Sequence, residues 1–160
     1  MNTKNWVELR FPRIHILWAM EWCINWFQNR GEEPSLQKLQ QILYYIKVRI
    51  LVEKKHDLFL GHMLLKEDEN ISFPSVESCY CNKIVRTMPI VIVLTNFEGA
   101  EGVTQEERKL MEQVCTVAAK KKYSERVLAK KIRREISAIG DTINSQKLLE
   151  YYCNNKKKML

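Results

Sequence analysis

Three histidines, five cysteines and a crowd of lysines and arginines hold most of the side chains in this 160-residue chain that could do chemistry. His56, His62, Cys79 and Cys81 carry the imidazole and thiolate donors that zinc prefers. Their spacing suits a tetrahedral centre poorly, because C-x-C is tighter than the usual C-x2–4-C and H-x5-H is loose. A cysteine nucleophile with His15, His56 or His62 as its base needs only proximity in space, so sequence spacing neither selects nor excludes it. Phosphate-cradling glycine loops, a G-x-S-x-G elbow and an H-E-x-x-H zinc motif are all missing from the sequence. These residues are therefore read as free thiols and ordinary histidines. Neither a metal, a cofactor nor an enzymatic activity is expected.

The charged residues are more informative. The formal net charge is +7. Residues 120–160 hold twelve Lys/Arg against four Asp/Glu, which leaves the first 119 residues close to neutral, with fourteen basic and fifteen acidic side chains. Lys120, Lys121, Lys122, Arg126, Lys130, Lys131, Arg133 and Arg134 are packed into fifteen positions. On a helix starting after Ser124, Arg126, Lys130, Arg133 and Arg134 fall largely opposite Val127, Leu128 and Ile132. Such a ridge can be a solvated face, a dock for an acidic protein, or a contact for phosphates.

Periodicity supplies the elements that must position these groups. Residues 14–28 form a helix apolar nearly all round, with Trp18, Trp22 and Trp26 in an i, i+4 stripe, and its place is expected at the centre. Pro34 and Ser35 start a second helix that runs to about Glu53. Leu36, Leu39, Leu43, Ile46 and Ile50 define its apolar face, with Lys38, Gln41 and Lys47 on other faces. Leu58–Leu65 is expected as a strand turned at Asp68–Asn70, and the β-branched run Pro89–Thr95 as a second strand. Phe73-Pro74-Ser75 has loop chemistry, with a single helical turn over Val76–Cys81. Thr104-Gln105-Glu106-Glu107 is a capping box, Ser124 caps the next helix, Gly140 ends it, and Ser145–Asn154 forms a last helix.

The sum is a mainly α fold of about five helices with a small two-stranded β element. Residues 155–160 are expected as a frayed basic tail beyond a single domain over residues 1–154. No run approaches the roughly 20 apolar residues needed to span a bilayer, and no signal peptide is evident, so the cytoplasm is the expected compartment. The scattered, odd number of cysteines fits a reducing environment.

The order of elements also carries a likeness. Leu36-Gln37-Lys38-Leu39 through Leu43-Tyr44-Tyr45, behind a Trp-rich first helix, resembles the Panacea domain, the antitoxin family also called SocA-like or DUF4065. Pro74, Val76 and Tyr80 are similar to that family's proline-and-tyrosine segment, and Thr104–Leu110 and Tyr123-Ser124 to the starts of its later helices. Phe73 stands in place of the family's glycine, Lys66–Asn70 replaces its aromatic-and-glycine run, and its late His and Trp are missing. The resemblance implies a non-catalytic domain that neutralises a cognate protein toxin, encoded by an adjacent gene, through direct binding. It implies partner contacts at Tyr44, Tyr45, Pro74 and Tyr80, to which the charge pattern adds Lys130, Arg133 and Arg134. The competing expectation is a small basic nucleic-acid-binding regulator of phage or mobile-element origin.

Overall fold

The structure is a computed structural model that describes residues 14–59, 63–66, 70–81, 103–140 and 143–160. Six α-helices lie among the described residues: α1 (Ile16–Gln28), α2 (Leu36–Lys54), α3 (Pro74–Cys81), α4 (Gln105–Ala118), α5 (Glu125–Ile139) and α6 (Ser145–Cys153). A two-residue pair, β1 (Leu64–Leu65) and β2 (Ile71–Ser72), runs antiparallel with Leu64 opposite Ser72 and Leu65 opposite Ile71. The protein is thus mainly α with a minor β element.

Helix starts follow the local chemistry. The Ser35 hydroxyl accepts from the Lys38 N–H, and the Ser124 hydroxyl from the Val127 N–H. Thr104 and Glu107 complete a reciprocal capping box. Gly140, at φ 122°, ends α5 in a backbone conformation that a side chain would strain.

The centre belongs to α2, and α1 lies to one side. Helix α2 touches α1, α3, α4, α5, α6 and β2, and every residue from Leu39 to Val48 is buried. The expected division of α2 into apolar and polar faces therefore fails for Gln41 and Lys47, which are buried with the rest. Their polarity is met from outside the helix. The Lys47 ammonium donates to Asp57 at 2.7 Å and to the Phe59 carbonyl at 3.3 Å, while the Gln41 amide donates to the Glu125 carbonyl. On α1, by contrast, Trp18 is buried and Trp22 and Trp26 are only partly covered.

Three other expectations change. Leu58 and Phe59 are core residues, and among the described residues of the first predicted strand only Leu64–Leu65 is a β-strand, paired with Ile71–Ser72. The predicted strand Pro89–Thr95 lies outside the described residues. Pro74 opens an eight-residue helix where a loop was expected, its fixed φ suiting a first helical position. The C-terminal residues are not frayed. Lys156–Lys158 form a 3-10 turn, Leu160 is buried, and the Arg49 guanidinium donates to the Leu160 carbonyl at 2.8 Å.

Cys23, Cys79, Cys115 and Cys153 are free thiols. Cys23 and Cys115 meet in the core, where burial and then the neighbouring thiol push the Cys23 pKa well up and keep it unreactive.

Helix α1 begins on a titratable cap. The Leu17 N–H donates to His15 Nδ1 at 3.1 Å, which requires a neutral ring, and partial burial lowers the His15 pKa from its ordinary 6.5. A folded-state pKa below the unfolded value gives stability that is full above 6.5 and is lost as pH falls through the lowered value. His15→Asn keeps a cap acceptor without the titration. The difference in urea midpoint between wild type and His15→Asn should be constant above that range and widen against wild type below it.

Candidate partner-binding face

Helix α5 has two opposed sides with different chemistry. Leu128, Ile132, Glu135 and Ile136 are buried, and Arg126, Val127, Lys130, Arg133 and Arg134 are exposed. The buried side contains a carboxylate, so the core must supply donors. Tyr45 and Tyr152 each donate to Glu135 Oε1 at 2.7 Å. Because the Tyr152 proton is committed there, Tyr44 is the donor in the 2.8 Å contact between the Tyr44 and Tyr152 hydroxyls. Lys131 closes the set, donating to Tyr45 Oη at 3.0 Å, to Glu135 Oε2 and to the Lys158 carbonyl. Its ammonium also stands 4.7 Å from the centroid of the Tyr45 ring.

This network gives Tyr44 and Tyr45 a role different from the expected one. Both are fully buried, so neither can touch a partner directly; the Tyr45 hydroxyl donates to Glu135 and the Tyr44 hydroxyl to Tyr152. Burial first, then the nearby carboxylate and phenols, pushes the pKa of Tyr44, Tyr45 and Tyr152 upward. Of the other expected contact residues, Pro74 is exposed at the start of α3. Tyr80 is half-buried, and its hydroxyl donates to the Pro34 carbonyl at 3.0 Å, tying α3 to the start of α2. Only Lys130, Arg133 and Arg134 are brought together on one surface.

That surface is more cationic than the sequence count suggests. Glu135 is withdrawn into the core, and Glu125 accepts from the Ser35 hydroxyl. Arg126, Lys130 and Arg134, spaced four apart and about 6 Å per step along the axis, carry no ion pair among the described residues. The exposed Lys120, Lys121 and Lys122 lead into the same helix. The docked C-terminal turn, held to α5 through Lys131, adds the exposed Lys156 and Lys157.

A cleft of about 750 Å³ opens beside the first turns of α5, where the α1–α2 connection, the start of α2 and Asn70 face Glu125, Arg126, Ala129 and Lys130. Its other charges are already engaged. Lys38 donates to the Tyr123 carbonyl, Glu33 accepts from Gln28, and Glu32 pairs with Arg30. The uncommitted charge facing the cleft is that of Arg126 and Lys130. Sequence reasoning reached these cations through their crowding, but the cleft walls come from residues 27–38 and Asn70, which no local pattern joins to α5.

The histidine and cysteine expectations resolve differently. His56 Nε2 is 2.9 Å from Glu107 in the core, and Cys79 is buried on α3. His62 and the side chain of Cys81 lie outside the described residues. Among the described residues no group of three or more His, Cys, Asp or Glu is placed to hold a metal ion. None of the described helices is long and apolar enough to cross a membrane. Compared with protein families, with curated proteins and with solved structures, the chain matches none.

The Glu135 network generates two expectations. Tyr152→Phe removes one donor to the carboxylate and strands the Tyr44 proton, and should lower stability by about 1–3 kcal/mol in urea unfolding. A folded-state pKa above the ordinary 10.0 gives stability that is full below that value and is lost as pH rises above it. Alkaline titration followed at 295 nm should therefore show Tyr44, Tyr45 and Tyr152 ionising together with unfolding, whereas Tyr152→Phe should unfold at lower pH.

Proposed function

We propose that this chain is a non-catalytic protein-binding domain whose α5 surface takes an acidic partner, and that its use is to neutralise a toxin by covering it. The observation that supports the reading is the row Arg126, Lys130 and Arg134, exposed and without an ion pair among the described residues, on a helix whose Glu135 carboxylate points inward. Carboxylates brought by a partner offset the desolvation of these cations, and the same charges speed encounter. The resemblance to Panacea domains supplies the physiological setting, a toxin encoded next to this gene.

Phe27, Pro34 and Ala129 line the cleft beside the cations, and apolar walls of this kind favour a protein over a polyphosphate backbone. The exposed Val127 within the cationic row also suits a protein surface, which combines apolar and charged groups. A protein that acts by occlusion needs no activated group, and the buried hydroxyls and thiols described above serve packing.

The test is a growth assay with the neighbouring open reading frame. Its product, expressed alone, should arrest growth, and co-expression of this protein should restore it. Lys130→Glu/Arg133→Glu/Arg134→Glu should lose rescue and weaken binding to the purified product by about 10–100-fold at low ionic strength, with the gap closing in high salt. A harmless neighbour, or unchanged affinity of the triple variant, removes the reading. Tight binding to duplex DNA with a steep salt slope would replace it with the nucleic-acid one.

A further inference from the structure

The cleft beside α5 does not end at Asn70. The next residue, Ile71, lines a second concavity of about 490 Å³, together with Leu64, Leu65, Ile136, Ser137 and Gly140. Both concavities have one flank of α5 as a wall, through Ala129 and Lys130 in the first and Ser137 and Gly140 in the second. Both have the β1–β2 hairpin as the opposite wall, through Asn70 and then Ile71. Placed one after the other along α5, without a shared lining residue, they are taken together as two halves of a trough. The first half presents the uncommitted cations Arg126 and Lys130. The second half is apolar, and its β1 residues Leu64 and Leu65 are 46% and 44% exposed.

Apolar residues of this size normally face the core, and two adjacent exposed leucines at the edge of an apolar concavity mark a contact surface. Charge decides what fits the other half. From Ala129 to Gly140 the trough runs about 17 Å at 1.5 Å per helical residue, the span of about five residues of extended chain. We propose that one extended segment of the partner lies along this trough, with acidic side chains over Arg126 and Lys130 and large apolar side chains over Leu64 and Leu65. The inference rests on the acidic-partner reading and adds what that reading lacks, the composition of the segment recognised. The cations supply steering and register, and the leucines hold the segment once docked.

The probes are fluorescein-labelled ten-residue synthetic peptides. One joins a Glu/Asp half to a Leu/Phe half, made in both orders, and two controls replace either half with Ser. Fluorescence anisotropy should show the two-part peptide binding about tenfold or more tighter than the acid-only control, the effect of burying about one large apolar side chain. Leu64→Ser/Leu65→Ser should bring it down to the acid-only level, and Arg126→Glu/Lys130→Glu should abolish binding of both. Leu64 and Leu65 are nearly half exposed, so the double variant should keep the wild-type far-UV spectrum. Should it unfold, hydrogen exchange on the wild-type protein decides, with slowed exchange at residues 63–65 and 129–140 expected on adding the two-part peptide.

Equal affinity of the two-part and acid-only peptides would overturn the trough and leave the acidic-partner reading standing. Peptide binding that ignores the acidic half, beside a neighbour product that does not bind, would overturn both. A dimer in sedimentation that Leu64→Ser/Leu65→Ser converts to monomer would assign the apolar half to a second copy of this chain and overturn the proposal.

Discussion

A helix buried on every side takes its polar residues into the core with it, and everything packed around α2 answers to that constraint. Gln40 accepts from the Phe73 N–H at 2.8 Å, Gln41 donates to the Glu125 carbonyl, Lys47 pairs with Asp57, and Tyr45 donates to Glu135. The partners come from three places outside the helix: the β2–α3 junction, the turn after α2, and α5, at Glu125 and again at Glu135. A one-residue slip of any of these would leave a buried polar group unpaired, at a cost of about 1–3 kcal/mol, more for the charged ones. Apolar contacts alone would tolerate such slips better, so the polar set fixes register. Asp57 extends the control one element further by accepting from Ser145 at the first residue of α6.

How much of this was legible depended on how local its cause is. Ser35, Thr104 with Glu107, Ser124 and Gly140 mark their helix ends through contacts within four residues, and those ends were read correctly. The central helix was not. Composition points to α1, whose tryptophans outweigh anything in α2, yet α2 can be buried because its polar groups find partners as far as 108 residues away in the chain. Tyr44 and Tyr45 were expected at a partner contact through the family resemblance alone, and what holds them in the core, Tyr152 and Glu135, lies 108 and 90 residues along the chain. The lysine-rich C-terminus looked solvated because its side chains are. Its hold on the fold runs through the main-chain carbonyls of Lys158 and Leu160, and a carbonyl has no residue type. The β pair is only two residues long, too short for alternation to register.

The candidate face was legible in charge and illegible in shape. Crowding of Lys and Arg after residue 120 identifies a cationic helix, but only the fold separates Lys131, which is bonded inward, from Lys130 and Arg134, which face outward. Only the fold shows that the carboxylate most able to neutralise them, Glu135, faces the other way. The trough is further removed still, since its walls are a hairpin and a helix about sixty residues apart. Adjacent leucines at 64 and 65 were the one signal available for it.

The buried network and the exposed row share one helix, and that links stability to binding. Lys131 and Glu135 lock α5 against Tyr45 and Tyr152 one helical turn from Lys130 and Arg134, so the cations are presented on a rigid element. Side chains on an ordered backbone lose less freedom on binding than the same side chains on a mobile loop. Lys131 also holds the C-terminal turn, which keeps Lys156 and Lys157 beside the row. On the proposed reading, the internal hydrogen bonds of Glu135 thus do two things at once. They satisfy a carboxylate that must be buried, and they keep its negative charge off the surface that carries Lys130 and Arg134.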